Sequence, residues 1–212
     1  FEYINPNDKE AYNLFIEELS EALHYYNYFL TTSLAPKLYK DQPGTLYEAH
    51  DYAFHGKHAD HVILMTYEWG YSYGPPMAVA PLDQVERVLA YAVTEIPSQK
   101  ILMGFPNYGY DWKIPYKKGT RATTLSNKQA IDLASQKGSN IMFDDKAKTP
   151  YFNYTDENND EHIVWFEDAR SIKAKLELIS KYNLGGVSYW NLNKLYVPNF
   201  IILDSMYNIT KV

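Results

Sequence analysis

The sequence predicts an α/β fold that makes up more than half of an eight-stranded (β/α) barrel, and three observations carry that prediction. Short apolar runs recur along the chain, each delivering an aromatic or acidic residue: Phe1-Glu2-Tyr3-Ile4, Ile63-Leu64-Met65-Thr66-Tyr67-Glu68-Trp69-Gly70, Ile101-Leu102-Met103-Gly104-Phe105-Pro106-Asn107-Tyr108 and Gly185-Gly186-Val187-Ser188-Tyr189-Trp190. Buried parallel strands read this way when their C-terminal ends open into a site. Stretches with helical spacing separate the runs, and the alternation of strand and helix makes parallel pairing the economical topology. Strand ends are expected at Glu2, near Ala35, at Thr66, at Phe105 and at Tyr189, in a fold whose full barrel takes about 250 residues.

Taken in order, Asn7 and Glu10 have capping-box spacing, and Tyr12, Phe15, Leu19 and Leu23 recur at helical intervals, which predicts a helix over 7–26. Residues 29–35 form a β-rich run closed by Pro36. A weaker helix is expected over 44–56, with Leu46, Ala49, Ala53 and Phe54 inward. The central strand follows at 61–66. The loop after it holds Gly70, Gly74, Pro75 and Pro76, which suits a shaped loop better than a tight turn. Pro81 is placed to open another helix, with Leu82, Val85, Leu89 and Ala92 on one face, and the next strand is expected at 100–105.

Beyond that strand the rhythm breaks. Ser126 and Gln129 cap a short helix reaching about 137, and strand-like segments at 150–155 and 162–166 flank the polar turn Asp156-Glu157-Asn158-Asn159-Asp160-Glu161. Residues 141–166 read as a small antiparallel insertion, and with the short helix they make an α+β subdomain over 126–166. The alternation resumes with Asp168 capping a helix that turns Ile172, Leu176 and Ile179 inward. A strand at 185–189 and a last helix near 198–207 complete the chain.

Composition narrows the function. The 20 Lys+Arg against 26 Asp+Glu leave a net charge of −6, which argues against a nucleic-acid partner. With no Cys there is neither a disulfide framework nor a thiolate metal site. No stretch approaches the roughly 20 apolar residues of a membrane span. The 21 Tyr, 9 Phe and 4 Trp exceed what packing alone asks for, and Tyr suits surfaces offering an apolar face with a polar tip. Because the chain opens on Phe1 within what reads as a strand, it is expected to be a fragment with any targeting segment upstream. An unclosed parallel sheet would expose its edges, so the segment alone is expected to be inactive and poorly soluble.

The ordered motifs FEYI, MTYEWG, GFPNYGYDW and GGVSYW together resemble the second half of a glycoside hydrolase family 18 barrel, the chitinase family. The segments MTYEWGYSYGPPMAVAP, VWFEDARSI and NLGGVSYW resemble its spore branch, the cortex-lytic and spore-germination N-acetylglucosaminidases. The resemblance covers nearly the whole chain and implies strands 4–8 of the barrel, with the α+β subdomain inserted between strands 7 and 8. It implies that the N-terminal half is required, and a bacterial spore or extracytoplasmic location. The implied partner is an N-acetylglucosamine-containing glycan, peptidoglycan or chitin-like, and no cofactor or metal.

The family is an exception to the two-carboxylate scheme, because the substrate's own acetamido oxygen attacks the anomeric carbon. By resemblance, Glu2 ends the fourth-strand Asp-x-Asp-x-Glu motif and is the acid that protonates the leaving oxygen. Such an acid must be held neutral near working pH by an apolar and aromatic wall. Tyr67 matches the tyrosine that hydrogen-bonds the acetamido carbonyl and holds it under the anomeric carbon. Glu68 stands where chitinases commonly carry Asp and is expected to bind a sugar hydroxyl. Met65 matches a residue lining the pocket under the acetamido methyl, though a lone Met also suits the core. Trp190 matches the indole under the −1 sugar. Tyr108 matches an aromatic of the seventh-strand motif, and Tyr110 replaces an Arg common in chitinases, which favours a peptidoglycan-type glycan over chitin. Trp69, Tyr71, Tyr73 and Trp112 are expected along the glycan groove.

Two metal readings are weaker than their alternatives. His50, His55, His58 and His61 cluster in sequence, but helix-surface histidines away from the barrel's active face explain them better. Asp156, Asn158, Asp160 and Glu167 mimic a calcium loop, yet Glu161 stands where the sharp turn needs Gly, so a hairpin turn is expected. Two other functional classes stay open. A noncatalytic glycan-binding relative would carry a different residue at the family aspartate two positions before Glu2, and a structural coat protein would neither bind nor turn over glycan.

Overall fold

The structure, a computed structural model, describes residues 1 and 3–209. In chain order its strands are β1 (Thr31–Leu34), β2 (His61–Leu64), β3 (Ile101–Pro106), β4 (Tyr108–Ile114), β5 (Thr123–Ser126), β6 (Met142–Asp144), β7 (Thr149–Thr155), β8 (Glu161–Trp165) and β9 (Gly186–Trp190). The α-helices are α1 (Lys9–Tyr25), α2 (Tyr52–His58), α3 (Leu82–Glu95), α4 (Asn127–Gln136), α5 (Ala169–Tyr182) and α6 (Val197–Met206). The chain divides into two compact units, one of Phe1–Thr66, Val85–Gly104 and Leu178–Ser188, the other of Tyr67–Gln84, Phe105–Glu177 and Tyr189–Val212.

The first unit is built on a four-stranded sheet of order β1-β2-β3-β9. Pairing is parallel from β1 to β2 and from β2 to β3, with Val62 opposite Thr32 and Ile101. Leu34, Val62, Leu64, Ile101 and Met103 are fully buried, as expected of strands covered on both faces. Val85, Val88, Leu89 and Ala92 give α3 its buried stripe. The strand expected at the first run is not found: Phe1 and Tyr3–Asn5 carry no strand assignment. Phe1 and Tyr3 are 80% and 86% exposed, and a strand exists only where a neighbour completes its ladder.

Helix starts depart from the sequence reading in two places. Asn5, not Asn7, is the cap, its side chain accepting from the Asn7 N–H at 3.0 Å, because Pro6 fixes a helical φ one residue earlier than the box requires. The buried stripe of α1 is Tyr12, Asn13, Ile16 and Ser20, leaving Phe15 exposed. The helix expected over 44–56 shrinks to α2, where Asp51 accepts from the Phe54 N–H at 3.1 Å. Gly44 sits at φ +124°, outside helical geometry, and Ala53 faces out while Tyr52, His55 and Gly56 face in.

The histidines expected on a helix surface are instead interior. His50 and His55 are 1% and 0% exposed. His50 Nδ1 accepts from the Ala35 N–H at 2.8 Å, and His55 Nδ1 lies 3.2 Å from Thr32 Oγ1. Burial, with Lys37 beside His50 and His50 beside His55, pushes both imidazoles down to about 4. An unfolded histidine titrates near 6.5, so between those values the unfolded state binds more protons and stability falls as pH falls. The contribution is complete above about pH 6.5 and is lost towards pH 4, on the order of 3 kcal/mol for each ring. The urea midpoint should therefore drop between about pH 7 and pH 5, and His50→Gln with His55→Gln should flatten the profile; a midpoint unchanged over that interval would contradict the assignment.

The second unit holds a five-stranded antiparallel sheet of order β5-β4-β8-β7-β6. It begins at Tyr108, earlier than residue 126, since β4 pairs with both β5 and β8. Gly109 lets these strands approach: a Cβ there would stand 2.2 Å from the Trp165 carbonyl oxygen. The Ser126 and Gln129 capping box is present at α4. Ala130 and Ala134 of that helix pack with Phe152, Val164 and Phe166 in one core cluster. The acidic segment between β7 and β8 is a hairpin turn, with Asp156 Oδ1 accepting from the N–H groups of Asn158 and Asp160 at 2.8 and 2.9 Å. Asp168 caps α5 through the Arg170 and Ser171 N–H groups at 2.9 and 3.2 Å. Among the described residues no helix is long and apolar enough to cross a membrane.

Candidate active site

The second unit opens with Tyr67, Glu68, Trp69 and Gly70, on a loop that runs to Val79. The loop is shaped by its own backbone. Trp69 N–H donates to Val79 O at 3.1 Å and Gly70 N–H to Ala78 O at 2.9 Å. Gly70 is required at this crossing, because a Cβ would meet the Met77 carbonyl oxygen at 2.1 Å. Three further bonds tie the loop tip down: Trp112 Nε1–H to Gly74 O at 2.9 Å, Tyr116 Oη–H to Tyr73 O at 2.6 Å, and Ala122 N–H to Ser72 O at 2.7 Å.

Alternation along β4 puts Tyr108, Tyr110 and Trp112 on one face of the sheet. Their rings meet edge to face at 5.5 Å in each step, and they form a buried cluster with Val79 and Ala122 against which Tyr67 packs. Glu68 answers this row from the loop. Its Oε1 accepts from both phenols, from Tyr110 Oη–H at 2.9 Å and from Tyr108 Oη–H in a short bond. Burial first, and the Glu68 charge second, push both hydroxyls up, so they stay protonated donors at any working pH. Glu68 itself holds φ at +68°, a region unfavourable for a side chain and kept only where surroundings over-determine it. The carboxylate is thus fixed on one oxygen and exposed overall.

A second set of bonds orients the segment after β9. Tyr189 Oη–H donates to Asn199 Oδ1 at 3.0 Å, Asn199 Nδ2–H to Asn107 Oδ1 at 2.9 Å, and Asn107 N–H to Trp190 O at 2.8 Å. Trp190 is thereby anchored by its backbone to the residue preceding Tyr108 while its indole is 53% exposed. The Trp190–Asn191 peptide is cis. Lys194 Nζ stands over the Tyr108 ring, 5.7 Å from its centroid.

Of the residues singled out from sequence, Glu68 and Tyr108 are in direct contact, Tyr67 packs against the same aromatic cluster, and Trp190 is fixed next to Asn107. Trp69 is half-buried in the loop. Met65 belongs to the first unit, half-buried, its N–H donating to Leu34 O at 3.0 Å. Glu2 lies outside the described residues. Trp112, expected along a groove, is 2% exposed: the strand continues to Ile114 and carries the indole into the core. Tyr71 and Tyr73 do lie at the surface. Tyr110 as a partner of Glu68 was missed, although the Tyr-x-Tyr spacing on one strand face pointed to it. Among the described residues no group of three or more His, Asp or Glu is arranged to hold a metal ion.

Comparison with known proteins places this geometry in context. The family described as Glycosyl hydrolases family 18 matches residues 1–194. The cortical fragment-lytic enzyme of Bacillus subtilis (strain 168) is 50% identical over 212 residues, covering 100% of this chain and 49% of that protein. The crystal structure of the Bacillus cereus spore cortex-lytic enzyme SleL superposes with a TM-score of 0.96 at 44% identity, over 100% of this chain and 49% of the other. A chitinase from Chromobacterium violaceum ATCC 12472 superposes with a TM-score of 0.90 at 31% identity, over 96% and 63%. The chain spans about half the length of the curated cortical fragment-lytic enzymes it matches.

Proposed function

Since the chain belongs to family 18 of the glycosyl hydrolases, we propose that it is the C-terminal part, strands 4–8, of a (β/α)-barrel glycosidase that cleaves N-acetylglucosamine linkages in spore-cortex peptidoglycan. The antiparallel sheet is then the insertion between strands 7 and 8, and the N-terminal half of the barrel is needed for activity. One observation carries the reading: a carboxylate, Glu68, held by two buried phenols beside Tyr67. Aromatic faces bind the C–H faces of pyranose rings, and a fixed carboxylate selects a hydroxyl pattern. The relatives named for cortical fragments favour peptidoglycan, as does Tyr110 in place of the Arg common in chitinases.

In the proposed reaction Glu2 donates its proton to the leaving glycosidic oxygen while the substrate's acetamido oxygen attacks C1. The C1–O bond breaks and an oxazolinium ion forms. Tyr67 donates to the acetamido group, holding it in attacking geometry and stabilising the charge that develops. Glu2, now a carboxylate, takes a proton from water as that water attacks C1 and opens the ring. Two inversions at C1 give net retention. Glu68 holds a sugar hydroxyl, Trp190 carries the −1 sugar on its indole, and Met65, Trp69 and Tyr108 complete the pocket.

Retention is the direct test. Full-length protein acting on defined cortex glycan should release β-anomeric reducing ends first, read by time-resolved proton NMR before mutarotation. An α-anomer appearing first would overturn the substrate-assisted route.

A further inference from the structure

Two cations flank the Glu68, Tyr108 and Tyr110 cluster without a carboxylate of their own. Lys194 Nζ lies over the Tyr108 ring, half-buried, and among the described residues it forms no ion pair and no hydrogen bond. Burial holds its amine below the usual lysine range, the state of a cation short of a counter-charge. Arg121 stands with its guanidinium carbon 5.8 Å from the Tyr73 ring centroid, and its charge is felt at the Tyr110 hydroxyl. It too has no carboxylate partner among the described residues.

Arg121 ends an exposed loop that also carries Lys117 and Lys118. That loop is bound to the site loop by the Tyr116 Oη–H to Tyr73 O and Ala122 N–H to Ser72 O bonds. A basic run kept beside an aromatic site is unexpected in a chain of net charge −6. Elsewhere in the same unit lysines are paired: Lys113 with Asp160, Lys128 with Asp132, Lys137 with Glu157 and Lys175 with Glu167. Glu68 is not the missing partner, since it lies within ion-pair distance of neither Arg121 nor Lys194 and its Oε1 is taken by the two phenols.

We propose that Arg121 and Lys194 bind a carboxylate carried by the glycan, so that the site selects a carboxylate-bearing amino sugar polymer over a neutral one. This rests on the glycosidase reading above and names the substrate class of the same site. Peptidoglycan offers that chemistry from two sources, the lactyl ether of a muramic acid and the peptide stem attached to it. Arg121 suits a planar, two-point hold on a carboxylate and Lys194 a point charge beneath it.

The test uses full-length protein and four substrates: stem-bearing cortex fragments, stem-free fragments, the stem-bearing fragments after carbodiimide amidation of their carboxylates, and a neutral N-acetylglucosamine oligomer. KM should be about tenfold lower for the carboxylate-bearing fragments than for the amidated ones. That preference should weaken with added salt. Arg121→Gln combined with Lys194→Gln should remove the preference, and Arg121→Lys should restore part of it. A preference kept on stem-free fragments assigns the carboxylate to the lactyl ether, and one lost there assigns it to the stem.

Equal KM values for wild-type protein on charged and amidated fragments would overturn the proposal while leaving the glycosidase reading intact. If the double variant does not fold, the wild-type comparison alone decides. Failure of wild-type protein to release reducing ends from any of the four would overturn both.

Discussion

Lys175→Met should destabilise the second unit by about 3–5 kcal/mol, the cost of breaking a buried ion pair by removing one partner. Lys175 Nζ donates to Glu167 Oε1 and Oε2 at 2.9 and 2.7 Å and lies 3.3 Å from Thr149 Oγ1. Both charged side chains are 1% exposed. Burial raises the Glu167 carboxyl even with Lys175 opposing it, so deleting the cation leaves a charge that neither water nor a neighbour compensates. In the variant Glu167 must stay protonated in the fold while it ionises in the unfolded chain. Stability is then retained below the ordinary glutamate value near 4.3 and lost as pH rises above it.

Urea unfolding of Lys175→Met should therefore show its largest deficit near pH 7 and a smaller one near pH 4. Adding Glu167→Leu should recover most of the loss, because a well-packed apolar pair can replace a buried ion pair at little cost. A deficit below about 1 kcal/mol at pH 7 would show that the pair is not isolated from water as its burial implies.

That pair also marks a limit of reading from sequence. Glu167 was weighed there as part of a calcium-like spacing, and the residue eight positions later that neutralises it sits on the next helix, where periodicity registers only a polar gap. What periodicity does register was legible. The buried faces of α3 and α5 follow from apolar residues three and four apart, and the Ser126 and Gln129 box and the Asp168 cap act within four residues of chain. The parallel strands at 61 and 101 were visible because both their faces are buried, leaving unbroken apolar runs.

Features decided by distant partners were not legible. His50 and His55 look like surface residues of a polar stretch, and only the Ala35 N–H and the Thr32 hydroxyl, from elsewhere in the chain, make their burial tenable. Trp112 reads as a loop aromatic until β4 is seen to run past it into a five-stranded sheet. At the site, the residue types at Tyr67, Glu68, Tyr108 and Trp190 were readable because aromatic and acidic residues at strand ends are rarely packing residues alone. The clamp of Tyr108 and Tyr110 on one oxygen of Glu68 was not, since it depends on a +68° φ at Glu68 that no propensity favours.

Glu2→Gln in the full-length protein should lower kcat by about 10³-fold or more, at the upper part of the range for a positioned acid–base group, with KM changed by less than about threefold. The amide keeps the size and hydrogen-bonding reach of the acid but can neither protonate a leaving oxygen nor deprotonate water, so both steps of the proposed route fail together. Tyr67→Phe should act differently. It leaves the proton donor in place and removes only the hydroxyl that orients and stabilises the acetamido group, a loss of about 10²-fold in kcat. Because the two residues serve the same transition state through different atoms, the double variant should fall well short of the product of the single losses. Glu2→Gln retaining normal turnover would move the acid elsewhere in the chain. Wild-type protein that binds cortex glycan without releasing reducing ends would instead make this a glycan-binding member of the family, in which Glu68 and its phenols recognise sugar and no proton is transferred.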